Sequence, residues 1–256
     1  EIKKLKFKSI EGSKFTNSPE ILEGRVKTLH PKIHAGILNK RSKKSHQNEM
    51  RANEFENIDL VIVNFYPFEN TLKNTNNHNK IIENIDVGGP TMVRAAAKNY
   101  KSVAVLTDPD EYANFSKQLI KHKGALEETY RFKLAQNAFS HTAHYDKVIS
   151  DYLSKKNKQK NFPDNLTQNM KKKMDMRYGE NPHQEAAFYE ELNIQDGSLA
   201  NFNQFQGKEL SFNNLNDSDT AWECVKLFSA PTCVIVKHAN PCGVCSAKTI
   251  KEAYVG

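Results

Sequence analysis

The 256 residues include 37 Lys and Arg against 30 Asp and Glu, a formal charge of +7, and the mean hydropathy is −0.70. The length suits one large domain or two small ones, at a prior of ~150 residues each, and no stretch approaches the ~18 apolar residues of a membrane span. Four cysteines are too few for a disulfide scaffold and fit a reduced, cytoplasmic protein. The chain opens on Glu1-Ile2-Lys3-Lys4, with neither an initiator Met nor a cleavable leader pattern, and reads as a fragment or a processed form. A positive field draws anions, whether nucleic acid, acidic lipid or phosphorylated metabolites, and charge alone does not choose among them.

In chain order, the run from Ile58 to Asn64 is the first buried-strand candidate. The Lys- and Asn-rich piece from Lys73 to Lys80 reads as an exposed loop. A helix is predicted over Thr91–Asn99, after the turn residues Gly88-Gly89-Pro90. Ser102–Asp108 is a second strand, and helices follow over Asp110–His122 and Leu126–Leu153. The longer helix shows helical periodicity that includes Phe132, Leu134, Ala135, Ala138 and Phe139. Residues 154–174 are rich in Lys and Asn and read as a linker. A helix over Asp217–Phe228 is expected to be capped by Asp217 or Ser218, and Thr232–His238 is a third strand. Short β-branched runs of this kind suit strands covered on both faces, as in a parallel sheet. Strands alternating with helices predict an α/β fold.

Five stretches hold the chemistry. Glu23–Lys32 places Arg25, Lys27 and Thr28 beside Gly24. Two cations and a hydroxyl there suit a phosphate or oxyanion, with an ordinary basic loop as the alternative. Asn64 and Tyr66 end the first strand, where ligands of open α/β sheets bind; a polar strand end with a packed aromatic is the other reading. Asp86-Val87-Gly88-Gly89 leads into a helix carrying Arg94 and Lys98 on one face. Helix N-termini attract anions, although a capped helix with a solvated basic face explains the same residues. The loop RYGENPHQ (177–184) is dense in hydrogen-bonding groups. Lys237-His238 closes the third strand at a turn, where a His can serve as a base beside a stabilising cation or face water.

Metal-like spacings carry less weight. Cys242 and Cys245 form CxxC without a second pair, so neither zinc nor a thioredoxin-like redox role is expected. His30/His34 and His141/His144 lack further ligands at suitable spacing.

Together, EGRVKTLHPKIHAGIL (23–38), VNFYPF (63–68), IDVGGPTMVRAAAKN (85–99), RYGENPHQ (177–184) and VKHANPCG (236–243) resemble the AICAR transformylase/IMP cyclohydrolase family of late purine biosynthesis. The motifs run in the family's order from Ser18 to Gly256. The resemblance implies a methylglyoxal-synthase-like, parallel-sheet cyclohydrolase domain over 1–153, a linker over 154–174, and the beginning of a cytidine-deaminase-like transformylase domain over 175–256. It also implies that the family's N-terminal phosphate-binding turn and its folate site lie outside the chain, so that this chain would not transfer formyl groups.

By the same resemblance, Arg25, Val26, Lys27, Thr28, Val63, Asn64, Asp86 and Val87 line a nucleotide pocket. Lys98 is the implied proton donor and acceptor, Lys27 polarises a formyl oxygen, and Tyr66 and Asp86 support proton transfer. In the second domain Arg177 and Tyr178 would hold AICAR, His238 would take the amine proton and Lys237 would stabilise an oxyanion. The expected small molecules are formyl-AICAR, IMP and AICAR, with formyl-tetrahydrofolate as co-substrate and no bound cofactor or metal. A homodimer is implied, without nucleic acid or membrane as partner. The alternatives are a basic nucleic-acid-binding module and a non-catalytic dimerisation fragment. The module explains the charge but not the ordered motifs, and the chain has no RNP motif, basic heptad array or zinc-finger spacing.

Overall fold

The structure is a computed structural model that describes residues 7–156, 167–168, 170–191, 194 and 196–256. The chain divides into two compact units, Glu1–Asp164 and Asn165–Gly256.

The first unit runs α1 (Gly12–Thr16), α2 (Pro31–Leu38), α3 (Lys44–Ala52), β1 (Leu60–Ile62), α4 (Phe68–Asn74), α5 (His78–Glu83), α6 (Gly88–Lys98), β2 (Ala104–Leu106), α7 (Tyr112–Lys121) and α8 (Glu128–Lys156). β1 and β2 pair in parallel, Leu60 opposite Ala104 and Ile62 opposite Leu106. The ladder continues at both ends, where Ala104 N–H donates to the Asp59 carbonyl and Val63 N–H to the Leu106 carbonyl. Parallel strands need a long crossover, and α6 is its last helix, so it runs antiparallel to β2. Its N-terminus therefore lies toward the carboxyl ends of the strands and its C-terminus toward their amino ends. Ala95, Ala96 and Ala97 of α6 and Ala135 and Ala138 of α8 are all buried. Such small side chains let two helices approach closely, and Val93, Val103, Val105 and Leu106 fill the space against the strands.

Three expectations for this unit need correction. Residues 73–80 are not a loop: α4 reaches Asn74, and α5 starts at His78 because the Asn77 side chain accepts from the Lys80 N–H, which caps the new helix. Phe132 and Phe139 do not belong to the buried face of α8; both are exposed, and Leu134, Ala135, Ala138, Thr142 and Tyr145 make that face instead. The expected linker of 154–174 is shortened from both sides, since α8 continues to Lys156 and a strand begins at Met170, with 157–166 and 169 outside the described residues.

The second unit comprises β3 (Met170–Met176), β4 (Ala186–Glu191), α9 (Phe212–Val225), β5 (Thr232–Lys237), β6 (Asn240–Ser246) and α10 (Ile250–Val255). The strand at 232–238 was expected in a parallel sheet. It instead pairs antiparallel with β6, and β3 pairs antiparallel with β4. The physical reason is a two-residue turn at His238-Ala239 that folds the chain straight back. The Cys242/Cys245 pair thus sits on a strand, with Cys242 as the extra residue where the register shifts. All four cysteines are free, and no group of three or more His, Cys, Asp or Glu among the described residues could hold a metal ion. The helix expected from Asp217 starts five residues earlier, at Phe212, because Ser211 and Asn214 form a reciprocal capping box. Among the described residues no helix is long and apolar enough to cross a membrane.

Candidate functional site

The basic loop of the first unit is a chain of tight turns. Gly24 adopts φ +88°, a conformation that costs glycine little. Turn bonds then run from Arg25 N–H to the Leu22 carbonyl, from Lys27 N–H to the Gly24 carbonyl and from Leu29 N–H to the Val26 carbonyl. The loop feeds α2, where His30 Nδ1 accepts from the Lys32 N–H and Pro31 occupies the first helical position. His30 is thus a helix cap. His141 packs its ring 4.7 Å from that of Phe65, and His144 Nε2 lies 2.6 Å from Glu69 Oε1.

Thr28 meets the start of α6 so closely that a Cβ added to Gly88 would overlap the Thr28 hydroxyl. The glycine is therefore required by close approach, and the basic loop and the Asp86–Gly89 turn form one site. Asp86 is held from two directions. Its Oδ1 accepts from the Gly89 N–H at 2.8 Å, and its own N–H donates to the Tyr145 hydroxyl at 2.9 Å. Burial pushes the Tyr145 phenol up, so it serves as a neutral hydrogen-bonding anchor.

Lys27 Nζ lies 3.0 Å from Glu20 Oε1 and within electrostatic reach of the Tyr66 hydroxyl. The Glu20 hydrogen bond, with smaller charge effects from Glu20 and Tyr66, raises its pKa and keeps it cationic. Arg25 pairs with Glu83, which raises the guanidinium and lowers the carboxyl. Asn64 lies two residues past the end of β1 and accepts from the Tyr112 hydroxyl at 3.4 Å. Val63 extends the strand ladder, and Val87 stands exposed at the cap of α6.

The close approach of Thr28 to Gly88 thus joins the basic loop to the Asp86–Gly88 turn, and Lys27 lies within electrostatic reach of Tyr66. Lys98 lies at the other end of α6 from Gly88. It is the last residue of α6, and ten residues at ~1.5 Å each put it about 15 Å along the axis from Gly88. A lysine side chain does not span that distance, and the antiparallel run of α6 points it to the amino ends of the strands. Residue spacing could not reveal this, because direction along a helix follows from topology. Arg94, on the same helix, is bound 2.5 Å from Asp146. Sequence reasoning also missed Glu20, Glu83, Tyr112 and Tyr145. Of these only Tyr145 had a signal, as the continuation of the buried face of α8 through Ala138 and Thr142.

In the second unit Arg177 stacks on its neighbour: the guanidinium carbon is 4.9 Å from the Tyr178 ring centroid and Nη2 donates to the hydroxyl at 3.3 Å. Hydrogen bonding to Ser211, then to Arg177, lowers the Tyr178 pKa. The loop is fastened to α9, with Arg177 N–H on the Leu210 carbonyl and Phe212 N–H on the Tyr178 carbonyl. Lys237 and His238 are exposed at the tip of the β5–β6 hairpin. The Ala239 N–H donates to Asp217 Oδ1 at 2.7 Å. Both motifs are therefore tied to the amino-terminal half of α9. Asp217, expected as a helix cap, is a side chain within that helix that holds the hairpin.

A family model described as AICARFT/IMPCHase bienzyme matches residues 96–256, and one described as MGS-like domain matches residues 2–91. The bifunctional purine biosynthesis protein PurH of Neisseria gonorrhoeae strain FA 1090 is 52% identical over 254 residues, which is 96% of this chain and 48% of the relative. The protein of the same name from Acetivibrio thermocellus is 50% identical over 249 residues, 97% of this chain and 48% of the relative. The chain spans about half the length of the curated relatives it matches. A solved structure titled "Crystal structure of ForH" aligns with a TM-score of 0.51 at 31% identity, covering 58% of this chain and 78% of that one.

Proposed function

The chain belongs to the AICARFT/IMPCHase bienzyme family, and from that premise we propose that its first unit binds a purine nucleotide and closes formyl-AICAR to IMP with loss of water. The observation that carries this reading is the contact of Thr28 with Gly88, which joins a basic loop to the N-terminus of an eleven-residue helix at the carboxyl ends of parallel strands. Phosphate suits such a place, since backbone N–H groups and the helix dipole both favour negative charge there.

The ring closure is intramolecular. The carboxamide nitrogen attacks the formyl carbon, and the carbinolamine then loses water. An enzyme for this step needs mainly to fix a near-attack geometry and move protons. Lys27, held cationic by Glu20, polarises the formyl oxygen rather than accepting a proton. Tyr66 and Asp86 are the groups placed to relay protons. The resemblance gives that task to Lys98; the run of α6 argues against it within one chain, and we assign it to the cluster instead.

Calorimetric titration with IMP tests the reading. Lys27→Ala is expected to lower cyclisation turnover by about 10²-fold or more, the scale of one lost oxyanion donor. Lys98→Ala is expected to change turnover by less than about threefold, since removing a charge remote from the reacting atoms leaves transition-state contacts intact. A larger loss for Lys98→Ala than for Lys27→Ala overturns the assignment.

We assign cyclisation to residues 1–153; in a whole protein of the family, residues 175–256 would supply the AICAR side of the formyl transfer, with Arg177 and Tyr178 holding AICAR, His238 taking the amine proton and Lys237 stabilising the tetrahedral oxyanion. Formyl-tetrahydrofolate is the co-substrate in this reading. The four free cysteines fit the cytoplasm. The working form is a homodimer, which light scattering can test.

A further inference from the structure

The tip of the β5–β6 hairpin runs against ordinary backbone preference. His238 has φ 53° and Ala239 has φ 55°. Two successive left-handed residues make a turn that Asn and Gly usually form, because a Cβ crowds the backbone there. A His-Ala pair has no such relief of its own. Two hydrogen bonds from neighbouring side chains stabilise it. Asn240 Nδ2 donates to the His238 carbonyl at 2.7 Å, and Ala239 N–H donates to Asp217 Oδ1 at 2.7 Å.

The second bond is of a different kind from the first. Asn240 belongs to the hairpin itself, whereas Asp217 stands on α9, 22 residues earlier in the chain. Its acceptor is a carboxylate on a half-buried side chain, which places it among the stronger protein hydrogen bonds. α9 is also the base for the Arg177-Tyr178 loop, through the Phe212 N–H on the Tyr178 carbonyl. Phe212 and Asp217 are five residues apart, about 7.5 Å along the helix. One rigid element thus sets the spacing between the two motifs.

We propose that Asp217 is a positioning residue for His238: its carboxylate holds the left-handed turn and so fixes the direction in which the imidazole leaves the backbone. The proposal rests on the reading of His238 as the group that takes the amine proton. The φ of a residue sets its Cα–Cβ direction relative to the strand. Relaxation of the turn to right-handed conformations would therefore swing the ring even though His238 itself is untouched. Misplacement of a catalytic group by about 1 Å is enough to cost about 10²-fold in rate.

The test compares Asp217→Ala with Asp217→Asn in the full chain. The amide oxygen of Asn preserves an acceptor at the same place, so that variant is the conservative control. Backbone coupling constants of His238 and Ala239 report the left-handed φ directly, and hydrogen exchange reports the Ala239 amide. Asp217→Ala is expected to lose the left-handed couplings and to exchange Ala239 about tenfold faster or more, while Asp217→Asn retains both. Thermal unfolding of the two variants within a few degrees of each other would exclude general destabilisation as the cause. Unchanged couplings and protection in Asp217→Ala, or equal loss in both variants, overturns the proposal. His238→Ala, assayed for formyl transfer in the whole enzyme, decides the premise separately. Unchanged transfer there would remove the base role of His238 and leave the anchoring by Asp217 to the backbone measurements.

Discussion

Both units place a candidate site at the end of a strand, and they support it in different ways. At Leu106 and Val63 of the first unit, the strand ends are backed by Val93, Val103 and Val105, all at most 1% exposed, and by the alanine-lined α6 and α8. At Lys237 and His238 of the second, the strand carries Ile235 at 52% exposure opposite Gly243, beside Val244 at 45%. The described hydrophobic side chains of the second unit that are buried are Leu215 and Ala253. Packing fixes the first site, because a dense core transmits little displacement to the loops it carries. Discrete hydrogen bonds fix the second: the Ser211 capping box, Trp222 Nε1 on the Gly197 carbonyl at 2.6 Å, and Asp217 on the Ala239 N–H. Single polar substitutions should therefore matter more to geometry in the second unit, and apolar truncations more to stability in the first.

The sharpest way to break that contrast is a matched pair of truncations. Leu106→Ala removes a side chain 1% exposed and is expected to cost about 2–5 kcal/mol, whereas Val244→Ala, at 45% exposure, should cost less than about 1 kcal/mol. Urea unfolding followed by circular dichroism measures both, and equal costs would dissolve the distinction. The packed site should also resist added volume. Gly88→Ala drives a methyl into the Thr28 hydroxyl, and overpacking of about 1–3 kcal/mol should appear as roughly tenfold weaker IMP binding with the fold retained. Calorimetry would read that loss, and undiminished affinity would mean that the two loops are free to part.

A smaller effect concerns pH. Burial, with a lesser contribution from His144, pushes the His141 pKa below its ordinary 6.5, against an opposing pull from Asp108. Its folded pKa is thus depressed, so the unfolded chain binds the proton more readily. The neutral ring's contribution to stability is complete above the unfolded pKa and is lost as pH falls through the folded one. The urea midpoint should drop between pH 7.5 and pH 5, and His141→Gln should flatten that slope. An unchanged slope would assign the dependence to other groups.

Much of the first unit was legible in its residues. The runs at 58–64 and 102–108 contain β1 and β2, and their β-branched, turn-bounded composition suits strands buried on both faces. The meeting of Thr28 with Gly88 had a trace in the paired glycines, though not in any spacing between the two loops. The second unit was less legible. β5 has the same apolar composition as a buried strand, and only the left-handed pair His238-Ala239 turned it into a hairpin. Neither residue advertises such a turn, which is why the following Asn240–Ser246 was not read as a strand.

The sequence alone determined the two strands and the last three helices of the first unit, and its ordered motifs determined the family, because periodicity and local residue chemistry are properties of neighbours along the chain. Only the tertiary structure decided that Lys98 stands at the opposite end of α6 from Gly88, and that the Asp217 carboxylate accepts from the Ala239 N–H beside His238. Direction along a crossover helix and bonds between distant residues arise from chain topology, which no local pattern contains.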